Sequence, residues 1–135
     1  MKKLRNFKKN LFAVCLSTSI LLSTVGVCFA ATKSNTYSYP NGYTMNYTIG
    51  STKMAGKSAA YATTNVVGDD IDAYAYAALF SYKNGTCKNS GSAQQSSYIQ
   101  VIILGNGGNK FKSVHALKYM DYSPMGTTQE LNIKN

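Results

Sequence analysis

Residues 72–83 read Asp-Ala-Tyr-Ala-Tyr-Ala-Ala-Leu-Phe-Ser-Tyr-Lys and carry two different sets of side chains at alternating positions. One set is aromatic apart from a single alanine: Tyr74, Tyr76, Ala78, Phe80 and Tyr82. The other set is smaller: Ala73, Ala75, Ala77, Leu79 and Ser81. Successive side chains of a β-strand point to opposite faces, so this period of two predicts a strand. The alanines would also suit a helix. Strict aromatic alternation and a turn signal at each end favour the strand.

The aromatic face of this strand has two interpretations. Large apolar side chains usually lie inside, so we expect Tyr74, Tyr76, Phe80 and Tyr82 (the aromatic stripe) in the core. If they are exposed instead, they form a flat platform about 20 Å long, as judged from the rise per residue of a strand. Such platforms stack on sugar rings or on other proteins, so the aromatic stripe is the candidate ligand-binding site. The chain has eleven Tyr, more than so small a core could bury with every hydroxyl satisfied.

The chain on both sides of residues 72–83 reads as short strands separated by turns. The clearest strand is Tyr43–Ile49, which alternates apolar and polar residues. The other strand candidates are Tyr37–Tyr39, Ala59–Val67, Tyr98–Leu104, Phe111–Met120 and Gln129–Ile133. Turn signals lie at Pro40-Asn41-Gly42, Gly68-Asp69-Asp70, Asn84-Gly85 and Gly105–Asn109.

Two of these segments carry more specific expectations. Tyr98–Leu104 is apolar on both faces and is expected to be the central, most buried strand, whereas the polar segment Cys87–Ser97 is expected to be a mobile loop. Six to seven strands at about ten-residue spacing predict an all-β fold, a small antiparallel β-sandwich or open barrel. The single domain is expected to span 37–135, after a flexible tail at 31–36.

The first 30 residues follow the three-part pattern of an export signal. A basic region at 1–10 precedes an apolar region at 11–27, and Cys28-Phe29-Ala30 offers the small residues that signal peptidase requires. An uncleaved anchor is the alternative, since 11–29 is just long enough to span a membrane. Ser, Thr and Gly dilute that stretch, so cleavage after Ala30 is favoured. The protein is therefore expected to be secreted, and the long Lys-rich start is typical of Gram-positive bacteria.

The basic charge of the chain comes partly from this signal. The whole chain carries 14 Lys and Arg against five acids, a net charge of +9. Residues 31–135 carry nine Lys, no Arg and five acids, a net charge of +4. This mild charge favours anionic surfaces only slightly. Bidentate recognition of nucleic-acid bases relies heavily on Arg, and residues 31–135 contain none, so we expect no nucleic-acid partner.

Few residues point to catalysis or to a metal. The single histidine, His115, lies within a strand candidate, and no serine stands in a nucleophile turn, so we expect no enzyme activity. One His and one Cys cannot close a zinc site, and the acidic group Asp69-Asp70-Ile71-Asp72 is expected to be a solvated turn rather than a calcium site. Gly105–Asn109 lacks the Gly-Lys-Ser/Thr ending of a phosphate-binding loop. No cofactor is expected.

Cys87 is the one cysteine that remains after cleavage at Ala30, so no internal disulfide can form. The core must then carry the fold, and an exposed Cys87 thiol could link two copies into a homodimer. No segment after residue 31 is long and apolar enough to span a membrane.

Two functions fit these features. The first is a secreted, non-catalytic β-sandwich that binds an extracellular surface, such as a glycan, a cell-wall polymer or a protein partner. Its surface, rich in Tyr, Ser, Thr, Asn and Gly, has the adaptable chemistry of antibody binding loops. The alternative is a bacteriocin-like secreted antagonist that acts on the envelopes of competing cells.

Overall fold

The computed structural model describes residues 31–67 and 73–134. The predicted signal peptide (1–30) and the predicted acidic turn at 68–72 lie outside the described residues. The described residues form eight strands: β1 Ala31–Ser38, β2 Thr44–Met54, β3 Lys57–Val67, β4 Ala73–Lys83, β5 Thr86–Ser96, β6 Tyr98–Leu104, β7 Lys110–Tyr119 and β8 Gln129–Lys134.

The eight strands make two antiparallel sheets of four strands that pack together. Sheet I has the order β1-β2-β3-β6, and sheet II has the order β5-β4-β7-β8. The chain crosses from sheet I to sheet II after β3, returns after β5, and crosses again after β6. The prediction of a small antiparallel β-sandwich is confirmed, with eight strands rather than six or seven.

The core lies between the sheets and takes the small face of β4. Ala73, Ala75, Ala77 and Leu79 are fully buried, whereas the aromatic stripe lies on the outer face of sheet II. The expectation that the aromatic face forms the core was therefore wrong. Both sheets contribute large inward-facing side chains: Met45, Tyr47, Ile49, Ile99, Val101 and Ile103 from sheet I, and Leu79, Phe111, Leu117 and Ile133 from sheet II. Packed sheets are about 10 Å apart, and the alanines of β4 leave room for the branched side chains of β6, which lies opposite.

Two edge strands, β1 and β5, differ from expectation. Residues 31–36, expected to be a loose tail, belong to β1 and pair with β2 along their whole length. Residues 87–96, expected to be a mobile loop, belong to β5, the edge of sheet II. These segments have little apolar content because an edge strand buries few of its side chains, and composition alone does not separate such a strand from a loop.

β6 is also an edge strand, although its sequence is apolar on both faces. Ile99, Val101 and Ile103 face the core, whereas Ile102 and Leu104 are 44% and 38% exposed. Burial therefore alternates along β6 with a period of two, but the residue types do not show it because both faces are apolar. The expectation of a central, doubly buried strand was wrong.

One of the two tight hairpin turns has a recognisable sequence signal. At Asn84-Gly85 both residues have positive φ (50° and 79°), as the tight turn between β4 and β5 requires. Ala55-Gly56 has the same pattern between β2 and β3, with φ of 49° and 75°. Alanine seldom adopts this conformation, so residues 55–56 carry no turn signal that a reader of the sequence would recognise.

Truncation of the two neighbouring isoleucines of β6 is expected to give very different losses of stability. Ile103→Ala removes a buried side chain and should lower the free energy of unfolding by about 2–5 kcal/mol. Ile102→Ala removes the same atoms from the outer face and should cost about 1 kcal/mol or less. Urea denaturation of both variants gives the comparison. Equal losses would mean that β6 is buried on both faces.

Candidate functional site

The aromatic stripe runs along β4, an interior strand of sheet II, and faces away from the core. All four of its side chains are partly exposed. Ala78 lies on the same face between Tyr76 and Phe80 and is buried beneath its neighbours. At about 3.3 Å per residue, the Cα atoms of Tyr74 and Tyr76, and those of Phe80 and Tyr82, are about 7 Å apart, whereas those of Tyr76 and Phe80 are about 13 Å apart. The stripe thus presents two aromatic pairs with the small side chain of Ala78 between them.

The two strands beside β4 give the stripe different borders. On the β7 side, Lys118 pairs with Tyr74, Lys112 with Phe80 and Lys110 with Tyr82. Residues directly opposite in a sheet have neighbouring side chains on the same face. The stripe is therefore bordered on this side by ammonium groups, with two small apolar residues, Val114 and Ala116, between them.

The β5 side of the stripe is neutral and polar. Ser96 is the register partner of Tyr74, Gln94 of Tyr76, and Ser90 of Phe80. Hydroxyl and amide groups both donate and accept hydrogen bonds. The outer face of sheet II thus arranges three kinds of side chain in parallel rows, namely cationic, aromatic and neutral polar.

Two residues that the sequence did not single out fix rings of the stripe. The ring of Tyr122 stacks on Tyr74 with centroids 4.9 Å apart and an interplanar angle of 23°. The ammonium group of Lys118 lies 4.6 Å from the centroid of Tyr76, a cation–π contact, and also donates to Oε1 of Gln94 at 3.0 Å. Tyr122 lies in the loop after β7, so only the folded chain brings it beside β4.

The loop that presents Tyr122 is held by its own hydrogen bonds. Asp121 accepts bonds from the backbone N–H and the hydroxyl of Ser123 at 2.9 and 2.6 Å. These bonds favour the carboxylate, so they lower the pKa of Asp121. Tyr122 itself adopts a left-handed backbone conformation with φ of 66°.

A hydrogen bond with Tyr122 raises the pKa of the Tyr74 phenol.

At the other end of the stripe, Phe80 and Tyr82 form a second pair. Their ring centroids are 6.3 Å apart with an interplanar angle of 31°. Tyr82 pairs in register with Cys87, and the pairing of β4 with β5 shifts between Ser81 and Tyr82. The thiol of Cys87 is exposed, as an intermolecular disulfide would require. That disulfide stays a prediction.

His115 lies in the core and not at the surface. It is fully buried, and its ring lies 5.0 Å from that of Tyr47. The Thr64 hydroxyl donates to the carbonyl of Tyr76 at 2.8 Å, so its oxygen accepts the bond from Nδ1–H of His115, also at 2.8 Å. Nε2 then accepts from the hydroxyl of Ser113 at 2.6 Å.

This chain of bonds gives the buried imidazole a structural role. Thr64 belongs to sheet I, whereas His115, Ser113 and Tyr76 belong to sheet II, so the network joins the two sheets through the core. Ser113 and His115 have the spacing of a nucleophile and its base, but both are 0% exposed. Hydrogen bonds satisfy the side chains of the network, and their burial leaves no surface there for a substrate.

Within 31–67 and 73–134, His, Cys, Asp and Glu form no group of three that could hold a metal ion. This part of the chain also contains no helix long and apolar enough to cross a membrane.

Comparison with known proteins gives no relative for this chain. No protein-family model matches it, and neither a curated protein nor a solved structure shows significant similarity to it.

Acid is expected to destabilise the fold through His115. Burial lowers the pKa of His115 in the folded protein to about 4, from an ordinary value of 6.5. As pH falls, the unfolded chain therefore takes up the proton first. The stabilisation by the neutral imidazole is complete above about pH 6.5 and is lost between about pH 6.5 and 4. Below about pH 4, His115 causes no further loss. The loss should reach about 3 kcal/mol.

Urea denaturation at a series of pH values measures this loss, and His115→Gln is the matched control. Glutamine stays neutral in both states, so the variant should show a nearly flat stability between about pH 6.5 and 4, whatever its starting value. A decline in the variant as steep as that of the natural chain would contradict the assignment to His115.

Proposed function

We propose that the protein is a secreted, non-catalytic β-sandwich that binds an extracellular glycan through the aromatic stripe. The supporting observation is the position of Tyr74, Tyr76, Phe80 and Tyr82 on the outer face of sheet II while the small residues of β4 occupy the core. Aromatic side chains that are partly exposed on the outer face of a sheet can contact a ligand.

The chemistry of the three rows suits a sugar chain. The apolar C–H face of a pyranose stacks on an aromatic ring, and its hydroxyls need hydrogen-bonding partners nearby. Phenol hydroxyls on the stripe and the Ser and Gln side chains of β5 supply those partners. Two ring pairs separated by Ala78 suit an extended ligand better than a single monosaccharide.

The stripe is also ordered before any ligand arrives. Tyr74 is stacked on Tyr122, and Tyr76 is held beneath Lys118. Tyr and Phe have only two side-chain torsions to restrict, so binding on fixed rings loses little conformational entropy. A flat site with preset rings is typical of recognition without a large rearrangement.

Co-sedimentation with washed bacterial envelopes and insoluble polysaccharides tests this proposal. The triple variant Tyr74→Ala/Tyr76→Ala/Tyr82→Ala removes three rings of the stripe and should retain the fold, because all three side chains lie outside the core. Each lost stacking contact is worth about 0.5–1.5 kcal/mol, so the affinity should fall by at least about tenfold and the bound fraction with it. High salt should leave most of the binding of the natural chain to a neutral polymer intact.

The matched control removes three exposed apolar side chains from the other sheet: Tyr98→Ala/Ile102→Ala/Leu104→Ala. This control should pellet like the natural chain. Equal loss in both triple variants would place the binding elsewhere, and the absence of pelleting by the natural chain on any polymer would contradict the proposal.

Cys87 gives the proposal a further consequence. Its exposed thiol lies next to Tyr82 in the sheet, so a disulfide between two copies would bring two stripes together. Two linked sites bind a polymer with greater avidity than one. Non-reducing electrophoresis of the exported protein should show a dimer. A reductant should convert this dimer to monomers, and the Cys87→Ser variant should not form it. A monomer under oxidising conditions would contradict this consequence.

A further inference from the structure

Lysines are concentrated at one end of the sandwich. The β2–β3 hairpin, the β4–β5 hairpin and the turn between β6 and β7 all lie at this end, where β1 begins and β8 ends. Eight of the nine described lysines are within three residues of these strand ends: Lys33, Lys53, Lys57, Lys83, Lys88, Lys110, Lys112 and Lys134. We call this the lysine end. Lys118 and Asp121 are at the opposite end, so a mild net charge conceals a strongly asymmetric distribution.

A cleft opens at the lysine end, where the edge of sheet I meets the edge of sheet II. It has a volume of about 660 Å³ and lies between the start of β1 and strands β7 and β8. Four lysines line it: Lys33, Lys110, Lys112 and Lys134. The amide of Asn132 adds a neutral polar group to the same wall.

Among the described residues, one of the four lysines of the cleft forms an ion pair. Lys112 forms an ion pair with Glu130 at 2.7 Å. No described carboxylate forms an ion pair with the other three lysines of the cleft. Lys110 and Lys134 are direct register partners on β7 and β8, an arrangement in which like charges repel. An anion bound between them would relieve that repulsion.

The cleft adjoins the aromatic stripe. Tyr82, the last ring of the stripe, also lines the cleft and is the register partner of Lys110. A ligand that lies along β4 would therefore reach the lysines without leaving the surface. The two features meet at one residue, which makes them parts of a single extended surface.

We propose that this cleft is an anionic subsite, and that it takes a phosphate or carboxylate group of the polymer whose sugar rings lie on the stripe. The inference rests on the proposed function and names its ligand class, a polyanionic glycan. Lysine binds such groups as a point charge on a flexible stem, without the fixed geometry of an arginine fork. A repeating polymer offers many equivalent anions, for which that loose geometry is sufficient.

The cleft suits a polymer better than a membrane surface. Binding to anionic lipid is strengthened by exposed apolar side chains that enter the acyl boundary beside the cations. The large apolar side chains of the cleft wall, Phe111 and Ile133, are only 1% and 5% exposed. These two side chains belong to the core and cannot insert into a membrane.

A pair of charge variants tests the inference on the protein exported from cells that express the full chain. Lys33→Gln/Lys110→Gln/Lys134→Gln removes three lysines of the cleft. Lys53→Gln/Lys57→Gln/Lys83→Gln removes the same charge from the same end, outside the cleft lining. Calorimetric titration with inorganic polyphosphate and with polygalacturonate separates phosphate from carboxylate, and co-sedimentation with cellulose reports on the stripe alone.

The cleft variant should bind the preferred polyanion at least about tenfold more weakly, while the control variant loses less than about threefold. Both should pellet with any neutral polymer that the natural chain binds. Equal losses in the two variants would overturn the inference, because diffuse charge would then explain the binding. Cellulose binding that depends on the stripe would leave the proposed function standing in that case.

Two further measurements bear on the same inference. Amide chemical shifts of the natural chain, recorded with added polyphosphate, should change most at residues 31–33, 82, 110–112 and 132–134, whatever the variants do. Changes spread over all eight lysines would contradict the cleft. Vesicles of phosphatidylcholine with and without phosphatidylglycerol should leave the protein in the supernatant, and sedimentation with the anionic vesicles alone would overturn the choice of a polymer.

Discussion

The spacing between the two sheets limits the size of the side chains that can meet in the core. β4 lies opposite β3 and β6, and β6 fills its inner face with Ile99, Val101 and Ile103. Small side chains on β4 leave room for these branched residues, because packed sheets are only about 10 Å apart. The alanines of β4 therefore face inward. Strict alternation then sends every aromatic side chain of β4 outward.

One packing requirement thus determines both the core and the candidate site. A shift of β4 by one residue would bury the aromatic stripe and expose the alanines, and no arrangement could place both sets inside. The polar network through Thr64, His115 and Ser113 reinforces the register, because it forms only when β3 and β7 bring these three side chains together. Its members are fully paired, so the core tolerates a neutral imidazole and loses stability when that imidazole is protonated.

The sequence predicts the local structure of this protein better than its arrangement. Period-two alternation locates β2 and β4, and Asn84-Gly85 identifies a hairpin, because these signals depend on neighbouring residues alone. The inward face of β4 depends on what sheet I offers, which residues 72–83 do not encode. Edge strands are missed for a related reason. An edge strand pairs with one neighbour, so its residue composition is less constrained than that of a central strand. β5 is therefore polar like a loop, and β6 is apolar like a central strand. Tyr122 and the lysine cleft arise from contacts between distant segments, so no local pattern marks them.

The orientation of β4 is the central claim, and solvent accessibility measured residue by residue tests it most directly. A soluble paramagnetic agent added to the folded protein enhances the NMR relaxation of protons near the surface. If the alanines of β4 face inward, enhancement should be strong for the ring protons of the aromatic stripe and weak for the methyl groups of Ala73, Ala75 and Ala77. Strong enhancement of those alanine methyls, with protected rings, would instead place the aromatic stripe in the core.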